Sequence, residues 1–252
     1  MKKYRAPSMR EPQLEMVKVN ILNILNETDS EEHLEGSFYV HKALICHYSS
    51  FFNAAFNTPR FMETETQTLS FRYTSRKVFG RFVEWIYTQE LRDTSWEDFD
   101  EEQDKKDEEA ELMRSCKTIL ECLLDLWILA DQILVPGLQN LAIDALEYYR
   151  GWLCPDSIGS KYLQELCDKV YRLTHESREL RGWLASSLAI TSTDEKEVLS
   201  NCSETALADV TGFLTTASAA DHLLFNDTGM RSTALMLKFY VEDPEMVITP
   251  GA

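Results

Sequence analysis

FYVHKALICHYSSFFNAAF, residues 38–56, changes its apolar period partway along. Up to Val40 the stretch reads as the end of a strand. From there Ala43, Leu44, His47, Phe51, Phe52, Ala55 and Phe56 recur at helical spacing. Ser49 and Ser50 are well placed to cap a second helix after a short first one, because a serine oxygen accepts a free N–H of the first turn. Asn57-Thr58-Pro59 ends that helix, since proline cannot continue the hydrogen-bond ladder. A strand running into two short helices is therefore expected at the heart of the chain.

The neighbouring segments extend this pattern on both sides. Upstream, residues 16–25 (MVKVNILNIL) place Val17, Val19 and Ile21 at period two, a strand. The polar, acidic stretch NETDSEEHLEG (26–36) reads as a loop, which makes residues 37–40 the second arm of a hairpin. Downstream, TQTLSF (66–71) alternates again as a third strand, and Ser75 can cap a helix whose Val78, Phe79, Phe82, Val83 and Ile86 form one stripe. Residues 119–134 are apolar nearly all round, as in a helix at a domain centre, and Pro136 suits the first turn of another running to about Tyr149. Beyond Gly151 three stripes follow: Ile158, Tyr162, Leu166, Val170 and Leu173; then Leu180, Trp183, Leu184 and Leu188; then Leu207, Val210, Phe213, Leu214 and Ala217, with a last helix near 234–240. The order of elements is that of an α+β fold followed by an all-α region.

Charge narrows the function classes. The 252 residues carry a formal net charge of −17, and eleven acidic residues against two lysines fall within 93–111. That segment cannot bury enough apolar surface to offset its ordering entropy, so a solvated, disordered insertion is expected there. Nucleic-acid binding draws its affinity from basic side chains on phosphate, so neither nucleic acid nor an anionic membrane is an expected partner. Residues 1–15 are polar and are expected to fray. They lack the apolar core of a secretory signal, which predicts a protein of the cytoplasm or nucleus. Six cysteines without a CxxC pair read as buried free thiols.

No catalytic or metal constellation emerges. Cys46 and His47 are adjacent, and neighbours on a helix point about 100° apart rather than at each other. There is neither an HExxH motif nor a glycine-rich phosphate loop, and no cofactor is implied. The expectation is a protein that is not an enzyme.

Residues 38–56 closely resemble the opening signature of BTB/POZ domains, in which a strand ends in a V-H-K turn and two short helices follow. FMETETQTLSF (61–71) resembles the loop and third strand of that family. VFGRFVEWIYTQEL (78–91) resembles the helix and short strand that close the sheet, and LLDLWILADQILVPGLQNLAIDAL (123–146) resembles its helical hairpin. The hairpin and VYRLTHESRELRGWL (170–184) look most like the fungal branch. The resemblance implies a three-stranded sheet wrapped by helices over 16–149, a helical region over 150–241, a tail over 242–252, and a role in protein association. His41, Lys42, Trp85, Tyr87, Trp127 and Asp131 fall on its structural signature. In the family a basic residue after the histidine pairs with an acid near the first strand, in a charged pocket used by members that recruit corepressors. Lys42 matches that position; the nearest acid is Glu15, outside the strand, and His41 and Lys42 are read as structural. BTB domains that dock cullins often carry hydrophobic-x-Glu just before the third strand, which here is Phe61-Met62-Glu63. The resemblance thus points to a substrate adaptor of a cullin-RING ubiquitin ligase with an unknown client, or else to a self-associating scaffold or transcription-linked regulator. So few apolar residues precede Val17 that a monomer or weak homodimer is expected.

Overall fold

The computed structural model describes residues 15–24, 32–72, 74–91, 108–150, 160–174, 178–191, 204–217 and 240–241. The chain divides into two compact units, Met1–Asp93 with Asp125–Leu138, and Thr94–Leu124 with Gln139–Ala252.

In the first unit, β1 (Met16–Ile24), β2 (Glu32–His41) and β3 (Thr68–Phe71) form a sheet of order β2-β1-β3. β1 pairs antiparallel with β2 and parallel with β3. Val17, Val19 and Ile21 are buried on one face, as period two requires, while Lys18 and Asn20 face outward beneath Tyr39 and Ser37. The Lys18 ammonium lies 5.9 Å from the Tyr39 ring centroid, and Ser37 Oγ donates to Asn20 Oδ1 at 2.8 Å.

β2 begins well before residue 37, inside the stretch expected to be a loop. Ile21 pairs with Gly36 but Leu22 pairs with Leu34, so Glu35 is an extra residue that bulges out. The bulge breaks the alternation and hides the strand. It also turns the Glu35 carboxylate toward the helix that opens at Arg76, whose N–H Oε1 accepts at 3.1 Å.

Helices α1 (Lys42–Tyr48) and α2 (Ser50–Asn57) follow directly, with Ser49 between them as the cap of α2. Its hydroxyl accepts the Phe52 N–H at 3.1 Å and donates to the Ile133 carbonyl at 2.6 Å. Residues 62–65, expected as loop, and Thr66, expected to open the third strand, form the one-turn helix α3 (Met62–Thr66), ended by Gln67 in the left-handed conformation. The third strand is correspondingly shorter than expected, because Thr66 and Gln67 belong to α3 and its cap. Helix α4 (Arg76–Thr88) starts at Ser75, whose oxygen accepts the Val78 N–H. Its buried residues are Val78, Phe79, Phe82, Trp85 and Ile86, and Val83 is only half-buried. Gln89 terminates α4 in a left-handed conformation, and no strand forms over 89–91, so the sheet keeps three strands among the described residues.

The core of this unit is aromatic. Phe52 stacks at 6.0 Å on both Phe56 and Phe82, and Phe79 meets Phe82 at 5.5 Å and Phe38 at 5.1 Å. Offset and edge-on rings at these separations add to the burial of apolar area itself.

Helix α5 (Glu108–Gln132) starts four residues inside the segment expected to be disordered, because Glu, Ala, Leu and Met from 108 onward are strong helix formers. Residues 93–107 lie outside the described ones. At the far end of α5, Leu134 takes a left-handed conformation. The Val135 N–H bonds back to the Ala130 carbonyl at 2.8 Å, and α6 (Pro136–Tyr148) begins at the proline.

In the second unit, α7 (Ser160–Leu173), α8 (Arg178–Thr191) and α9 (Glu204–Ala217) pack on one another. The buried stripe of α7 is Leu163, Leu166, Cys167 and Val170. Tyr162 and Leu173 flank it rather than belong to it, and Tyr162 donates its hydroxyl proton to the Lys117 carbonyl at 3.0 Å. Leu180, Trp183, Leu184 and Leu188 of α8 are buried as their spacing predicts. In α9, Ala206 and Val210 are buried. Glu147 is buried and bridges two partners, accepting Trp183 Nε1–H at 3.1 Å and Arg150 Nε–H at 2.9 Å. The stripe residue Ile158 and residues 234–239 of the helix expected near 234–240 lie outside the described residues, and Tyr240, which is described, is not helical.

Candidate protein-docking site

The segment between α2 and β3 builds a small projecting element. Phe61 precedes α3 in an extended conformation and Met62 opens it. Thr64 anchors the turn from beneath, its hydroxyl reaching the carbonyls of Thr58 at 2.6 Å and Ala55 at 3.1 Å. Gln67 closes it by donating Nε2–H to the Thr64 carbonyl at 2.6 Å, while its own carbonyl accepts the Lys18 N–H at 2.9 Å. The turn is thereby tied to α2 on one side and to the sheet on the other. What it leaves in solvent are the side chains of Phe61 and Met62, 49% and 76% exposed. Glu63 is half-buried, and among the described residues no hydrogen bond or ion pair engages its carboxylate. The arrangement offers two apolar groups and a carboxylate on a braced backbone, suited to filling a partner's groove and accepting a directed hydrogen bond.

Of the second set of residues singled out in the sequence, His41, Lys42 and Tyr87 lie together at the turn between β2 and α1. The His41 N–H donates to the Tyr87 hydroxyl oxygen at 3.2 Å, and His41 Nδ1 lies 2.8 Å from the same oxygen, so the phenol proton is placed to donate to that nitrogen. Lys42 Nζ stands 3.6 Å from Glu15 Oε2, and the Lys42 N–H donates to the Glu15 carbonyl at 3.0 Å. Glu15 is thus the acid that partners Lys42, though its carboxylate is 79% exposed, where such a pair contributes little. Trp85 and Trp127 are buried, and neither indole N–H finds an acceptor among the described residues. Asp131 is half-buried on α5. These residues do not join Phe61, Met62 and Glu63 in one cluster.

Cys46, Cys116, Cys122 and Cys167 are thiols rather than disulfide halves, and burial pushes Cys46 and Cys116 upward from the usual thiol range. Cys154 and Cys202 lie outside the described residues. Among the described residues no group of three or more metal-binding side chains assembles, and no helix is long and apolar enough to cross a membrane.

The missed feature of the site is α3 itself. Its signals were the acids Glu63 and Glu65 in the first turn and a residue able to close it in left-handed geometry, too few for a periodicity to register.

No curated protein matches the chain. Residues 29–120 match the family model of the BTB/POZ domain. That range takes in β2, the helices α1 to α4, β3 and the first half of α5, and the observed fold is the small three-stranded sheet among helices that the resemblance implies. The chain therefore carries a BTB/POZ domain, a unit that mediates protein–protein interaction and dimerisation.

Proposed function

We propose that the chain is a substrate adaptor of a cullin-RING ubiquitin ligase, holding the cullin through Phe61, Met62 and Glu63 and a client through the helical region 150–241. The observation that carries this reading is the exposure of Phe61 and Met62 on a turn braced from both sides. Large apolar side chains at the start of a rigid element lose little entropy on binding, and such anchors dominate interface energetics. The interaction domain is taken as 16–149, with an acidic solvating insertion ending before α5, and the wording of 123–146 and 170–184 supports the fungal branch. A place in the cytoplasm or nucleus accords with this role.

Co-precipitation tests it. Wild-type chain should retain a cullin, and the Phe61→Ala/Glu63→Ala double variant should lose it by tenfold or more, about 1.4 kcal/mol, with an unchanged circular dichroism spectrum. Failure of the wild-type chain to retain any cullin discards the reading. The pairing of Lys42 with Glu15 favours a second one, a self-associating scaffold or transcription-linked regulator, since family members that recruit corepressors use a charged pocket there. Self-association on light scattering without cullin retention would select it.

A further inference from the structure

Helix α6 carries two polar side chains, one turn apart, that hold a distant piece of the chain. Asn140 Nδ2–H donates to the Val241 carbonyl at 3.1 Å, and Asn140 Oδ1 accepts the Val241 N–H at 2.7 Å. One side-chain amide thereby satisfies both backbone groups of one residue, as a neighbouring strand would. At Asp144, Oδ1 accepts the hydroxyl proton of Tyr240. The i, i+4 spacing puts Asn140 and Asp144 on one ridge of the helix, whose opposite side buries Leu138, Ala142 and Leu146. The two anchors read a short pattern, a phenol followed by a residue with a free backbone N–H and carbonyl.

Electrostatics agree with the geometry. Burial raises the Asp144 carboxyl above its usual range and the hydrogen bond from Tyr240 opposes that rise. Burial, then the hydrogen bond and charge of Asp144, push the Tyr240 phenol upward, so the phenol remains a donor. A carboxylate can only accept, so Asp144 selects a hydroxyl-bearing side chain over phenylalanine at this position. Proline is barred from the next position because it lacks the N–H that Asn140 takes.

None of these contacts depends on Tyr240 and Val241 belonging to the same chain as α6. We propose that the Asn140–Asp144 ridge of α6 is a docking site for an extended tyrosine-containing peptide, filled in cis by Tyr240–Val241 and opened to a peptide of the same pattern when that segment is displaced. Tethering makes binding of the cis occupant intramolecular, so it competes at an effective concentration set by the connecting chain. The chain's own segment thus acts as a resident competitor: it excludes weak peptides and yields to a tighter one.

The full chain and an acetylated peptide of residues 237–243, LKFYVED, test this. Tyr240→Ala/Val241→Pro should release the segment and bind the peptide at least tenfold more tightly than wild type, as removal of a tethered competitor requires. Adding Asn140→Ala and Asp144→Ala to that chain should abolish the gain, and a peptide with phenylalanine for tyrosine should bind about tenfold more weakly. In the wild-type chain, hydrogen exchange gives a readout that needs no variant: the Val241 amide should be protected, and peptide at tens of millimolar should remove the protection. The proposal is overturned if the released chain does not bind the peptide, if the ridge variant binds it equally well, or if excess peptide leaves Val241 protected.

Discussion

Single residues in this chain often serve two elements at once. Ser49 caps α2 and also satisfies the Ile133 carbonyl, and it is wholly buried. Ser49→Ala removes an N-cap and orphans a buried acceptor, so it should cost about 2–3 kcal/mol. Ser49→Thr keeps the hydroxyl and should recover part of that loss. Urea unfolding measures both, and a cost for alanine under about 0.5 kcal/mol, the level of an ordinary surface substitution, would show that Ser49 bridges nothing of consequence. The indoles of Trp85 and Trp127 present the opposite case, since each buries an N–H without an acceptor among the described residues. Their worth therefore lies in filled volume rather than in hydrogen bonding.

At the level of elements, what was legible in the sequence depended on length and regularity. The strand β1, the capped helices α2 and α4, and the α5–α6 bend at Pro136 each left a period or a punctuating residue in the chain. The first half of β2 did not, because the Glu35 bulge puts the alternation out of phase among acidic residues. Helix α3 is five residues long, shorter than any window in which a helical period can be counted. The triplet Phe61-Met62-Glu63 could be picked out only by family likeness, and its exposure belongs to the folded molecule. The clasp of Asn140 on Val241 joins residues 101 positions apart and was invisible for that reason. The aromatic cluster gives a test of how α2 and α4 are held together. Phe82 stacks on Phe52 and meets Phe79, so Phe82→Ala should cost about 3–5 kcal/mol in urea unfolding, whereas an exposed Phe61→Ala should cost under about 1 kcal/mol. A similar cost for both variants would deny the cluster its place in the core.

Over the whole molecule the excess of acid dominates, with a net charge of −17 that repels itself when the chain is compact. Tyrosine ionisation adds to it at high pH. Tyr48, Tyr171 and Tyr240 are all shifted upward by burial, with Tyr171 further raised by its hydrogen bond to Asp209. An unfolded tyrosine loses its proton near pH 10. Above that pH the native state holds protons that the unfolded chain has released, so this contribution is fully present below about pH 10 and is lost as pH rises toward the folded values. The urea midpoint should fall between pH 9 and 11, and less steeply in Tyr171→Phe; equal slopes would remove Tyr171 from the account. The two pairings of β1 also set an order of assembly. Ile21 meets Gly36 fifteen positions on, whereas Lys18 meets Thr68 fifty positions on, across a parallel crossover that contains α1, α2 and α3. Closing the longer loop costs more entropy before any contact rewards it, so the hairpin should form in the folding transition state and β3 should join afterwards. In chevron kinetics Val40→Ala should slow folding, while Leu69→Ala should chiefly speed unfolding. The reverse pattern would mean that the crossover closes first. A late β3 leaves one edge of the central strand open during folding, and a second chain can pair there before the molecule has closed on itself.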